Sequence, residues 1–245
     1  EHGEWRGETF FMTREHTPIP VMMAVSSLLD EQQNNLGNVA IVSDIREIKA
    51  VEARLRELIY QDQLTGLPNY RSFTEFMERK FQTDLVHHSI QRFALLFIDL
   101  DYLKHINDTY GHEQGDQAII QFAQYLRESL PQPHFLCRRS GDEFIAMIDR
   151  SGPQDDDILT KVLGRLTPLE VSTSAGVVTV TATLGVSRFP EDATDWHGLQ
   201  ICADVAMNEA KQERRGSMVW YDDRIGRRLY RRRQIQGRLR EAIQA

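Results

Sequence analysis

The stretch Arg92 to Leu100, RFALLFIDL, constrains this chain more than any other feature. A nearly continuous apolar run of that length has no polar face, so as a strand it must be buried. It ends in acid, with Asp99 inside the run and Asp101 just beyond, which places carboxylates at the tip of a buried strand. From Asp62 onward the neighbouring patterns predict a mixed α/β domain around it. Residues 114–130 carry helical periodicity through Ile119, Ile120, Phe122, Ala123 and Leu126. HFLCRR and DEFIAMID predict two strands joined at Ser140-Gly141, a turn signal. Three consecutive aspartates (155–157) lead into another helix, GVVTVTATLGVS (176–187) predicts one more strand, and ADVAMNEAKQERR (203–215) a closing helix.

With 245 residues, the chain suits one large domain or a domain plus an appendage, and can bury a core without disulfide or zinc staples. Its two cysteines, Cys137 and Cys202, form no CxxC pair. No run of about 18 apolar residues occurs, so no membrane span is expected in this segment. The polar opening EHGEWRGE is no signal peptide and is expected to continue from a longer chain. The 29 basic against 36 acidic residues give a net charge of −7, which argues against a nucleic-acid partner. The charge is uneven: residues 224–245 hold eight arginines and one acid, Glu241.

Residues 1–44 predict three short strands, TFFMTR, PIPVMMAVSSLLD and LGNVAIVSDI, the last two joined by a hairpin turn in DEQQNNLGN. Three strands do not make a stable domain by themselves. Residues 45–61 lack Gly and Pro, and Ile48, Val51, Leu55 and Leu58 follow 3-4-3 spacing. That spacing fits either the seam of a short coiled coil or an amphipathic helix packed on its own domain.

The chemistry concentrates in acids. Asp99 and Asp101 alternate at a strand end and are expected to point to opposite faces; Asp142 and Glu143 open the strand after the Ser-Gly turn. If the two strands are neighbours, Asp99 converges with one acid of the second pair, a pairing that suits Mg²⁺ completed by water and phosphate oxygens. The alternative is that these acids are simply solvated. Between the strands lies KHINDTYGHEQGD (104–116). Lys104 could meet a phosphate, and Asn107 and Asp116 could read a purine edge, the carboxylate accepting from guanine N1–H and N2–H. Gly111 and Gly115 are expected to mark a helix end and a turn.

DQLTGLPN (62–69), FIDLDYLKHINDTYGHEQGD (97–116), SGDEF (140–144), VTATLGVS and ADVAMNEAKQERR together resemble the successive motifs of the GGDEF family, the diguanylate cyclases, over about 62–217. The resemblance implies an α+β fold with a central sheet flanked by helices, like the palm of nucleotidyl cyclases and polymerases. It implies condensation of two GTP into cyclic di-GMP with release of two pyrophosphates. Carried over position by position, Asp99, Asp142 and the Leu100 carbonyl would hold Mg²⁺ or Mn²⁺, and Asp142 and Glu143 would be catalytic. Tyr102, Leu103 and Lys104 would hold phosphates, with Ser140 and Gly141 lining the substrate. Asn107 and Asp116 would select guanine, and Lys211 and Arg215 would reach the terminal phosphate. Each chain would supply one GTP, so a homodimer is implied.

Five positions depart from the family pattern. Ser140 replaces a glycine; a positive φ there would cost about 1–2 kcal/mol and put turnover at risk. Pro131 and His134 stand where the family has the RxxD pair of its product-inhibition site, so no feedback is expected there. Asn208 replaces a usual tyrosine, and Arg214 a glycine, which bears on Arg215.

The flanks also resemble known modules. Residues 1–45 are similar to the second half of a PAS sensory domain, whose first half is not in this sequence, and 46–61 to its signalling helix. Residues 218–245 resemble the linker helix toward an EAL phosphodiesterase domain. The expected protein is a cytoplasmic, PAS-linked cyclase. A second reading is a GTP-binding module, weak in catalysis, that regulates an attached EAL phosphodiesterase.

Overall fold

The computed structural model describes residues 4–87, 91–132, 134–152, 154–165, 168–173 and 176–227. The chain divides between Ile59 and Tyr60 into two compact units. In the first, β1 (Glu4–Met12), β2 (Pro18–Leu29) and β3 (Asn35–Asp44) form an antiparallel sheet in that order. The β2–β3 turn is closed by Asp30, whose carboxylate accepts from the amides of Gln32 at 2.8 Å and Asn34 at 2.7 Å. Asp44 caps α1 (Arg46–Tyr60) by accepting from the Arg46 amide. No residue of α1 is buried, and its apolar stripe of Ile48, Val51, Leu55 and Leu58 stays about half exposed.

The second unit continues with α2 (Tyr70–His87), β4 (Arg92–Leu100), α3 (Leu103–Tyr110) and α4 (His112–Ser129). Then come β5 (His134–Ser140), β6 (Glu143–Arg150), α5 (Gln154–Leu163), β7 (Leu169–Thr173) and β8 (Gly176–Val180). β9 (Ala182–Phe189), α6 (Trp196–Glu213) and β10 (Met218–Trp220) complete it. The five-stranded sheet runs β10-β9-β4-β6-β5, with β4 antiparallel to both neighbours and β10 parallel to β9. This is the expected α+β arrangement.

β4 is the centre, and its period of two splits the core. Ala94, Leu96, Ile98 and Leu100 pack with α4 residues Ile119, Phe122 and Leu126. Phe93, Leu95 and Phe97 pack with Phe73 and Met77 of α2 and Leu199, Ala203 and Met207 of α6. Asp99 continues the second row. Gly185 of β9 lets α6 lie directly on the sheet, since a Cβ there would stand 2.1 Å from the Met207 amide nitrogen and 2.2 Å from the Ala203 carbonyl oxygen.

Several expectations are corrected. The run 176–187 is two strands broken at Thr181: β8 pairs with β7 in a separate hairpin, and only β9 joins the main sheet. The aspartates 155–157 form the first turn of α5, where they complement its dipole, rather than preceding it. Met218–Trp220, expected to begin a C-terminal helix, is the parallel edge strand β10. The remaining linker and its arginines from 228 onward lie outside the described residues. Among the described residues, no helix is long and apolar enough to cross a membrane.

Candidate active site

The tips of β4 and β6, the start of α3 and the end of α6 meet at one end of the sheet. The β4–β6 register sets Asp99 directly across from Glu143, and the Leu100 amide donates to the Asp142 carbonyl at 3.0 Å. Asp99 is 6% exposed, and burial pushes its carboxyl above the ordinary value. The Lys211 ammonium, 2.6 Å away, pulls it back down, while the charges of Asp142 and Asp101 add to the rise. Lys211, expected at a terminal phosphate, is therefore placed on the Asp99 carboxylate. Glu143 is held by Arg139 at 3.4 Å.

Asp101 differs from the expectation. Asp101 lies just past the end of β4, and the two acids turn to the same side, Asp99 to Lys211 of α6 and Asp101 to Arg215 just after it. The Asp101 side chain is completely buried and accepts from Thr183 at 2.8 Å, Thr181 at 3.0 Å, the Gly216 amide at 3.0 Å and Arg215 at 3.2 Å. Its oxygens are committed to tying the turn after α6 onto β9. No local pattern marks this clamp, because Thr181 and Thr183 lie 80 and 82 residues from Asp101. The clamp anchors Arg215, whose guanidinium lies 5.4 Å from the centre of the Tyr102 ring.

Tyr102 has a left-handed backbone, φ 59°, and is 62% exposed. This turn reverses the chain out of β4 into α3 and leaves the first amides of that helix without intrahelical acceptors, an arrangement suited to phosphate oxygens. Lys104 is exposed on the first turn of α3. Gly111, φ 93°, closes α3 by donating to the Asn107 carbonyl and opens α4. Asp116 is exposed and Asn107 partly buried. Gly115 is not a turn: it sits inside α4, buried.

Asp99 and Asp142, with the Leu100 carbonyl, make a set of hard oxygen donors that fits Mg²⁺ or Mn²⁺. Among the described residues no group of three or more His, Cys, Asp or Glu side chains could hold a metal, so such an ion would take its remaining ligands from water and substrate. The ammonium on Asp99 already supplies positive charge at that carboxylate.

The family model for the diguanylate cyclase GGDEF domain matches residues 59–217. The chain belongs to the GGDEF family. It is 31% identical over 190 residues to the bifunctional diguanylate cyclase/cyclic di-GMP phosphodiesterase MucR of Pseudomonas aeruginosa, covering 78% of this chain and 27% of that protein. It is 33% identical over 181 residues to the diguanylate cyclase TpbB of the same organism, covering 70% and 41%. The solved GGDEF domain of TpbB superposes with a TM-score of 0.64 at 30% identity, over 70% of this chain and 99% of that one. The chain thus spans well under half the length of these curated relatives.

Within the GGDEF domain, the signature turn answers the question raised by Ser140. Positive φ falls on Gly141, at 53°, and not on Ser140, which lies in β5 paired with Glu143. The expected backbone penalty for serine therefore does not arise, because the residue that needs glycine has kept it. Arg214 is extended, φ −163°, and the positive φ after α6 falls on Gly216. Asn208 donates within α6 to Asp204 at 2.9 Å. At the position of the family's inhibitory pair, the His134 ring nitrogen lies 3.2 Å from the Pro131 carbonyl.

Arg138 escaped the sequence reading. It donates to both oxygens of Asp62, at 2.9 and 3.1 Å, and to the Gly141 carbonyl at 3.0 and 2.8 Å. It braces the signature turn against the DQLTGLPN motif. Burial pushes the Asp62 carboxyl up, but the hydrogen bonds from Arg138 and Thr65 outweigh it and leave the pKa below its usual 3.8. A depressed carboxylate stabilises the fold above 3.8 and loses that contribution as pH falls through the lower folded value. Asp62→Asn is therefore expected to cost about 1 kcal/mol at pH 7, discounted for partial exposure. Thermal melts from pH 7 to 3 should show the two proteins converging below pH 4; a constant gap would refute the ion-pair account.

Proposed function

We propose that this GGDEF domain is half of a diguanylate cyclase, acting on GTP with Mg²⁺ or Mn²⁺ as a homodimer. The observation that carries the reading is the buried Asp99 beside Asp142 at the strand ends of the central sheet, bordered by the α3 N-terminus and the Arg215 anchor. In this reading Asn107 and Asp116 hold guanine, the Tyr102 and Leu103 amides and Lys104 take the phosphates, and Arg215 with Lys211 meets the terminal phosphate. To do so, Lys211 exchanges its Asp99 partner for a phosphate oxygen. Glu143 assists removal of the 3′-hydroxyl proton as that oxygen attacks the α-phosphorus of the partner's GTP and pyrophosphate leaves. A bound divalent ion would neutralise phosphate charge and acidify that hydroxyl. Ser140 and Gly141 line the approach.

Two chains must face each other, each bringing one GTP. The apolar stripe Ile48, Val51, Leu55 and Leu58 is available for pairing with its copy as a coiled coil. Residues 1–45 are read as the C-terminal half of a PAS domain that sets this pairing, in the cytoplasm where GTP is found. A downstream EAL domain is part of the proposal, since relatives include bifunctional proteins.

The test is incubation of the chain with GTP and Mg²⁺ and detection of cyclic di-GMP. Product formation supports the cyclase; tight GTP binding with no product over hours assigns the domain instead to regulating a phosphodiesterase. Repeating the assay with added cyclic di-GMP should leave the initial rate unchanged, because Pro131 and His134 lack the Arg–Asp charges. Inhibition at micromolar product would overturn that expectation.

A further inference from the structure

We propose that Gly115 is a positioning residue for the base contact, because its missing side chain makes the room in which the Asn107 carboxamide sits. The inference rests on the reading of Asn107 and Asp116 as the guanine contacts. Gly115 lies inside α4 with no positive φ, so its backbone gives no reason for glycine, which is a poor helix former there. The reason is space. A Cβ at 115 would stand 1.8 Å from Asn107 Oδ1 and 2.9 Å from Cγ, but 3.5 Å from Nδ2.

The carboxamide oxygen is thus packed against the glycine, and it is buried without a hydrogen-bond partner. Packing against Gly115, and not a hydrogen bond, holds that oxygen in place. Gly115 thereby fixes where the Asn107 carboxamide stands beside the Asp116 carboxylate, which can only accept. Guanine offers that carboxylate its N1–H and N2–H, whereas adenine N1 is itself an acceptor. Gly115 therefore positions the base contact without touching the base.

The test compares equilibrium binding of GTP and ATP, and thermal melting, for the unmutated chain, Gly115→Ala, Asn107→Ala and the double variant. Gly115→Ala is expected to weaken GTP about tenfold, the effect of one lost hydrogen bond, with ATP unchanged. In the Asn107→Ala background the same change should cost no further GTP affinity and should raise the melting temperature, since alanine favours the helix once the space is vacated. GTP binding by Gly115→Ala within twofold of the unmutated chain, or a further loss in the double variant, would overturn the inference. If Gly115→Ala alone does not fold, recovery of melting in the double variant supports the packing account and failure to recover refutes it. Equal binding of GTP and ATP by the unmutated chain would overturn the guanine reading itself.

Discussion

Asp142→Asn is expected to lower cyclic di-GMP formation about a thousandfold while leaving the fold intact. Its backbone carbonyl, which accepts from the Leu100 amide, is unchanged by the substitution, and Gly141 still supplies the turn. What disappears is one of the two carboxylates available to a divalent ion. Metal-assisted stabilisation of phosphoryl charge is worth several kcal/mol, and about 4 kcal/mol corresponds to three powers of ten in rate. GTP binding should fall much less, because Asn107, Asp116 and Arg215 remain. Initial rates by chromatography of the nucleotide products, with melting curves alongside, check this. A rate within tenfold of the unmutated protein would remove Asp142 from the metal site.

Gly185→Ala should have the largest effect on stability. The atoms that its Cβ would meet are the Met207 nitrogen and Ala203 oxygen, backbone atoms of α6 that no rotamer change can move aside. The helix must shift off β9, at a cost of about 3 kcal/mol or more, the upper range for overpacking. For a domain of this size that is a fall of about 6–12 °C in melting temperature. Because α6 carries Lys211 and leads into Arg215, activity should fall even in the folded fraction. A drop under 2 °C would mean that helix and sheet are not in the contact described.

Much of the site was legible in the chain because it sits where strand patterns end. The apolar run into Asp99 and the Ser-Gly turn before Asp142 place two carboxylates at strand tips, and the β4–β6 pairing brings those tips together. Elements built from weak local signals were not legible. α3 lies in a polar segment, β10 is only three residues long, and the break at Thr181 falls between Val180 and Ala182 with no Gly or Pro to mark it. The roles of Asp101 and Arg138 were invisible for another reason: their partners lie 80–115 and 76 residues away.

The sequence by itself determined the family, the buried central strand and the acids at its tip, since these follow from hydrophobic periodicity and from motifs whose residues are neighbours in the chain. Only the tertiary structure decided which acid is free and which is committed. It put Asp101 into a threonine clamp and Lys211 onto Asp99, and it moved the glycine requirement from Ser140 to Gly141. It also turned Gly115 from an expected turn into the floor beneath Asn107. These are facts of long-range packing and backbone dihedral angles, which no residue carries in its own identity.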